Sequence, residues 1–179
     1  MRVLILTVAL CTSALFGLAC GDGTVTAPAC TGAGCDCTDV SCSCIADCTL
    51  DCADGCTSTC AGSAKCDKTA AGAADWTCRE STQCRGSVGD GSIVSCADSA
   101  DCVYTAGADT TVTCANSADC QLTVGDGTNI SCSDSANCDI TCTGACSLTC
   151  VGSTSCETIC PESHPAMDCG DGRQVCGSC

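Results

Sequence analysis

The heptapeptides CADSADC (96–102), CANSADC (114–120), CSDSANC (132–138) and CVGSTSC (150–156) follow one another every 18 residues. Carried backwards, the same frame meets CRESTQC (78–84), CAGSAKC (60–66) and CSCIADC (42–48), so seven copies share Cys at positions 1 and 7. Six of them also carry Ser at position 4: Ser63, Ser81, Ser99, Ser117, Ser135 and Ser153. A short period held over seven copies marks a solenoid, in which each repeat is one coil that buries its apolar face against its neighbours.

Within a repeat, two stretches alternate. Position 18 is hydroxylic (Thr59, Thr77, Ser95, Thr113, Ser131, Thr149), and position 17 is apolar (Trp76, Val94, Val112, Ile130, Leu148) except at Ser58. With a polar position 16, this reads out, in, out, in, ending on an inward Cys. A second alternation starts at the position-7 Cys. Position 9 carries Leu50, Tyr104, Leu122 and Ile140, position 10 carries Thr69, Ser87, Thr105, Thr123 and Thr141, and position 11 carries Val88, Ala106, Val124 or a further Cys. Two short β-strands per coil follow, built from residues that suit a pleated surface. The xxSxx link has the chemistry of a bend closed by a Ser hydroxyl. The other link, GDG at 89–91 and 125–127, supplies residues that tolerate positive φ. Coils stacked at about 4.8 Å would make an array roughly 34 Å long. An α-helical reading fails because Thr, Ser, Gly and Asp dominate. A three-sided hexapeptide helix ranks second, since its third step lacks a consistent apolar mark.

Of 179 residues, 28 are Cys, and Cys with Ala supplies most of the 45% hydrophobic fraction; there is one Phe, one Trp and one Tyr. An ordinary apolar core is hard to assemble from this, so cross-links must supply the order. The formal charge of −15 with six basic residues argues against nucleic acid and against electrostatic docking on anionic lipid.

Residues 1–19 read as a secretory signal: Arg2, an apolar run from Val3 to Leu18, then a small residue before Cys20. GLAC (17–20) resembles a bacterial lipobox, which implies lipidation of Cys20 and a membrane anchor; ordinary cleavage with free secretion is the rival. Either route leads to an oxidising space. Without Cys11 and Cys20, the 28 cysteines become 26, an even number. Residues 20–29 read as a flexible tether, 30–41 as an N-terminal Cys-rich cap, 42–159 as a seven-coil β-solenoid and 160–179 as a C-terminal Cys-rich cap. The fold class expected is all-β, a disulfide-laddered β-solenoid of 18-residue coils.

Positions 1 and 7 flank a tight bend, where both thiols can meet inside the coil. The expected bonds are Cys42–Cys48, Cys60–Cys66, Cys78–Cys84, Cys96–Cys102, Cys114–Cys120, Cys132–Cys138 and Cys150–Cys156, each worth about 2 kcal/mol by loop closure. Bonds between coils, Cys42 with Cys60 and onward, are the alternative. Positions 11 and 15 hold a second pair in two repeats, Cys52–Cys56 and Cys142–Cys146. Cys30, Cys35, Cys37 and Cys44, then Cys160, Cys169, Cys176 and Cys179, remain for the caps.

The pattern in TCANSADC (113–120) and SCSDSANC (131–138) resembles the coil of the hyperactive beetle antifreeze proteins. That resemblance covers about residues 42–156. It implies a disulfide-filled β-solenoid with a flat Thr-x-Thr array that binds ice. The period here is longer than in that family. The residue after Cys, Thr in that family, is Ala61, Arg79, Ala97, Ala115, Ser133 or Val151. A neighbouring frame places Thr59, Thr77, Thr111, Thr113, Ser131 and Thr149 as candidate surface-binding residues, interrupted by Asp75 and Ile93. The signal, the lipobox and the Cys-x5-Cys repeats together resemble cysteine-rich repeat lipoproteins of myxobacteria, which implies surface display and no reaction.

Other chemistries are weaker. CDC (35–37) and CSC (42–44) have metallothionein-like spacing, and CGSC (176–179) has redox-motif spacing, but an exported chain oxidises such thiols into structural bonds. Asp98, Asp101, Asp119 and Asp134 would stack along one edge, where a divalent cation could bridge them. His164 is the only histidine, and no catalytic set assembles around it. The expectation is a non-enzymatic surface protein without cofactor. Ice or crystal-surface binding and extracellular divalent-cation binding are the alternatives.

Overall fold

A computed structural model describes residues 27–53, 55–62, 64–152 and 155–179. The signal, Cys20 and all of the tether but 27–29 lie outside the described residues, as do Ser63 and Ser153. No helix forms among the described residues.

The chain winds between two sheets. The first contains β1 (Ala29–Thr31), β4 (Cys48–Cys52), β6 (Lys65–Ala70), β8 (Gln83–Val88), β10 (Asp101–Ala106), β12 (Asp119–Val124), β14 (Asn137–Cys142) and β16 (Ser155–Ile159), in that spatial order. The second contains β2 (Cys35–Thr38), β3 (Ser41–Cys44), β5 (Cys56–Cys60), β7 (Ala74–Cys78), β9 (Ile93–Cys96), β11 (Thr111–Cys114), β13 (Thr128–Ser133), β15 (Cys146–Val151), β18 (Arg173–Cys176) and β17 (Ala166–Gly170). From β3 to β16 all neighbours are parallel, giving a β-solenoid of about six turns.

The register is the 18-residue period itself. Cys102 lies opposite Cys120, Tyr104 opposite Leu122, and Cys96 opposite Cys114. Strand alternation then sorts the side chains by face. In β11, Thr111 and Thr113 are exposed while Val112 and Cys114 are buried. Position 5, which the alternation did not mark, is also inward: Ala64, Thr82, Ala100, Ala118 and Ala136 are buried beneath the disulfide bends.

The xxSxx bends are left-handed turns. Asp98 and Ser99 have φ of 56° and 68°, Asn116 and Ser117 55° and 66°, and Asp134 and Ser135 53° and 67°. Two successive positive φ values, closed by Ala100 N–H to Ala97 C=O at 3.2 Å, make the tight primed turn that Asp and Asn tolerate best. The expected closure by the Ser hydroxyl is replaced by backbone bonding to the next coil: Ser99 N–H donates to Asn116 C=O and Ser117 N–H to Asp134 C=O, both at 3.1 Å.

Thirteen disulfides join every cysteine from Cys30 onward. Six coils carry the bond between positions 1 and 7, Cys60–Cys66, Cys78–Cys84, Cys96–Cys102, Cys114–Cys120, Cys132–Cys138 and Cys150–Cys156, with Cα atoms 6.4 to 6.7 Å apart. Cys52–Cys56 and Cys142–Cys146 close the second bend in their coils. None of the thirteen bonds joins neighbouring coils of the array.

The expected Cys42–Cys48 bond does not form. Cys44 pairs with Cys48, and Cys42 pairs backwards with Cys37 in the cap. Register gives the reason. Cys44 lies opposite Cys60 in the sulfur column, whereas Cys42 lies opposite Ser58. The first bend is two residues shorter than the others. Because strands have period 2, Cys42 and Cys44 both point inward, and only pairing with the next coil distinguishes them.

Antiparallel strands close three of the stack's four terminal edges. β1 pairs with β4, β2 with β3, and β18 with β15, with β17 added outside β18. Cys30–Cys35 ties the first cap, and Cys160–Cys176 and Cys169–Cys179 tie the second. Such caps block the edge-to-edge pairing that an open stack invites.

Two outcomes follow. Thiol labelling of Cys42→Ser under denaturing, non-reducing conditions should tag Cys37 and leave Cys48 bonded; a tag on Cys48 would restore the Cys42–Cys48 pairing. Full reduction should abolish the β signal in far-ultraviolet circular dichroism, because few large apolar residues remain to hold the coils.

Candidate functional site

The outward rows are regular. In the second sheet, Thr59, Thr77, Ser95, Thr113, Ser131 and Thr149 occupy one register column. The parallel column holds Thr57, Asp75, Ile93, Thr111, Asn129 and Ser147, so the structure keeps the interruption at Asp75 and Ile93, and Ile93 is exposed. The first sheet presents a further hydroxyl column of Thr69, Ser87, Thr105, Thr123 and Thr141.

The bend acids are engaged by the protein. Asp90 accepts Ala108 N–H at 2.7 Å, Asp126 accepts Ala145 N–H at 2.7 Å, Asp47 accepts Lys65 N–H at 3.0 Å and Glu80 accepts Gly62 N–H at 2.6 Å. Each bond reaches the following or preceding coil. Of the residues considered for a divalent cation, Asp98 and Asp134 are separated by Asn116, whose amide donates to Asp98 at 3.2 Å. Asp101 and Asp119 are register partners, and Asn137 donates to Asp119 at 3.4 Å. Among the described residues, the groups of three or more potential metal-ligand atoms lying within 4.8 Å of one another consist of sulfur alone. Those sulfurs belong to disulfides, which lack the thiolate a metal requires.

The interior holds one polar cluster that the sequence did not announce. Lys68 occupies position 9, where other coils place Leu or Ile, and is fully buried. Its neighbour in register is Gly86, and beyond Gly86 lies Tyr104. Gly86 has φ +148°, and a Cβ there would collide with the carbonyl of Lys68. Glycine at this position lets the strand lie close against Lys68. Across the core, Trp76 sits between the smaller Ser58 and Val94. The Lys68 ammonium lies 5.4 Å from the Trp76 ring centroid, and the Trp76 and Tyr104 rings are 5.5 Å apart. Lys68 Nζ reaches Thr77 C=O at 3.5 Å, and Tyr104 Oη lies 3.1 Å from Cys78 Sγ. That sulfur is in a disulfide and has no proton, so the phenol donates.

Burial acts on both titratable groups. It lowers the Lys68 pKa from 10.5 to about 7. It raises that of Tyr104, with the negative charge of Asp67 adding to the shift. Lys68, Trp76 and Tyr104 are all buried. The arrangement is a packing solution whose electrostatic cost falls on Lys68.

The C-terminal cap forms a depression on the surface. β13, β15 and β18 floor it, and the 161–165 loop walls it. His164 lies here beside Ser163, with Ser163 Oγ 3.0 Å from Nδ1. No carboxylate side chain lines this depression.

Comparison with known protein families, with curated proteins and with solved structures finds no match. No helix among the described residues is long and apolar enough to cross a membrane.

The buried lysine makes stability pH-dependent. Between pH 7 and 10 the unfolded chain holds a proton on Lys68 that the folded chain releases, so stability should rise with pH across that window. Above pH 10 the unfolded Tyr104 ionises while the folded one stays protonated, so stability should fall. Denaturant melts should show this maximum near pH 10. Lys68→Met should flatten the rise and stabilise the protein at pH 7 by about 2–4 kcal/mol.

Proposed function

We propose that this chain is a non-enzymatic exported protein, held at the cell surface by a lipid on Cys20, with a structural or surface-interaction role. The observation that carries the reading is the complete pairing of Cys30 to Cys179 into thirteen disulfides. Bonds of this density persist in an oxidising compartment and resist local opening. The coil interior is filled by disulfides and packed side chains, which leaves the faces and ends of the stack to meet partners. The even count of cysteines after Cys20 supports its removal from the disulfide set, as lipidation would do. The likeness to cysteine-rich repeat lipoproteins belongs to this proposal and rests on the same features of the N-terminus and the repeats.

A second reading is favoured by one observation. The column from Thr59 to Thr149 is unbroken and in register over six coils. Such a row matches a repeating crystal surface, ice included. Divalent-cation binding has less support, because Asp98 and Asp119 already accept side-chain amides from adjacent coils and Asn116 stands between Asp98 and Asp134.

Detergent phase separation tests the anchor. The full chain expressed in a bacterium with lipoprotein processing should enter the detergent phase, and Cys20→Ala should move it to the aqueous phase. Equal partition of both forms would leave a freely secreted protein. Thermal hysteresis in the wild type, lost in Thr113→Tyr, would replace the structural role with crystal-surface binding.

A further inference from the structure

The C-terminal depression has a charge character opposite to that of the molecule around it. The chain has 21 acidic residues and six Lys or Arg, yet the depression contains Arg173 and the sole His164, and no Asp or Glu lines it. Among the described residues Arg173 forms no ion pair. Its strand places it opposite Thr149, next to the pairing of Val175 with Ser147, and Ser147 in turn neighbours Asn129. The floor row of Asn129 and Ser147 thus ends on the apolar Val175, and the Arg173 guanidinium stands in the neighbouring row, opposite Thr149.

The opposite wall is held firmly. Pro161 C=O accepts His164 N–H at 2.9 Å, and Pro165 C=O accepts Gly177 N–H at 3.0 Å. Cys160–Cys176 and Cys169–Cys179 tie the same segment to β18 and to the chain end. Ser163 Oγ engages His164 Nδ1, which leaves Nε2 as the ring atom available to a ligand. A guanidinium, an imidazole, hydroxyls from Ser147, Ser163 and Ser178, and the Asn129 amide thus converge on one preorganised concavity.

We propose that this cap pocket binds a small hydroxylated monoanion, of the acidic-monosaccharide class. The guanidinium is the natural partner of a carboxylate, which it can meet in two parallel hydrogen bonds. The serine and asparagine groups match the alternating donors and acceptors of sugar hydroxyls. Size follows from the field of the whole molecule. A net charge of −15 repels an extended polyanion, whereas one negative group can be held where no carboxylate faces it. The pocket sits at the end of the stack opposite the N-terminal tether, which suits an element that samples the surroundings.

The single histidine makes the test direct. The full mature protein, labelled at histidine, gives the ring signals of a single imidazole, of which the Cε1–H cross-peak is followed during titration with galacturonate, galactose and sodium sulfate. Galacturonate should move the peak saturably at roughly millimolar concentration, with galactose at least about tenfold weaker. Arg173→Gln should weaken galacturonate binding by a similar factor while circular dichroism and the Cys160–Cys176 bond are unchanged. No saturable movement, or equal binding by wild type and Arg173→Gln, would overturn the proposal. Equal binding of galactose would remove its anionic part. Sulfate binding as tight as galacturonate would remove its sugar part. None of these outcomes depends on whether Cys20 carries a lipid.

Discussion

In a parallel in-register stack, every residue lies above and below its own counterparts. Whatever occupies an interior position of one coil must therefore be compatible with a column of similar residues about 4.8 Å apart. A column of charges fails this condition, and a column of bulky rings cannot fit it. A disulfide within each coil meets it well. The bond spans the width of the coil, uses both inward positions beside the bend, and leaves neighbouring coils to touch sulfur on sulfur. The parallel sheets, the small residues at position 5 and the narrow interior all depend on that arrangement. The columns that break the pattern do so in compensating sets. Gly86, without a side chain, stands between Lys68 and Tyr104, and the small Ser58 stands beside Trp76.

The same stacking explains how a chain of net charge −15 tolerates acids at its bends. An isolated column of aspartates would repel itself. Here Asp90 and Asp126 accept backbone N–H groups from a neighbouring coil, Asn116 stands between Asp98 and Asp134 and donates to Asp98, and Asn137 donates to Asp119. Charge is spent on coil-to-coil hydrogen bonds at positions where the left-handed or glycine turn leaves amides pointing along the stack. Acid-rich bends in this fold are structural acceptors first.

Much of the architecture could be read from periodicity alone, because register and period are the same quantity in a solenoid. The two strands per coil, the inward cysteines and the second pair at Cys142 and Cys146 follow from alternation and co-replacement. What escaped has identifiable physical causes. Cys42 and Cys44 share a face, so counting residues selected Cys42, while register selected Cys44. Lys68 went unmarked because a lysine breaks the apolar column at position 9, and its register neighbour Gly86, which has no side chain, lies 18 residues away. The serine at position 4 did mark a bend. Its hydroxyl drew attention from the backbone, whose positive φ values make the turn. The depression around His164 and Arg173 lies where the period ends, so no repeat position pointed to it.

These features bear on where such a molecule can act. A coil closed across its interior by sulfur cannot open a cleft through that interior without breaking a covalent bond, so its middle offers outward columns and the depressions between their side chains, such as the one lined by Arg85, Gln121 and Asp139. One of those columns carries Thr or Ser in six successive coils and suits a repeating surface. The ends are different. There the chain leaves the period, strands turn antiparallel, and the cap disulfides reach 16 and 10 residues along the chain instead of four or six. In a stack built by repetition, a departure from the period is where side chains from outside the repeat meet those within it, as His164 and Arg173 meet Asn129 and Ser147 at the C-terminal cap.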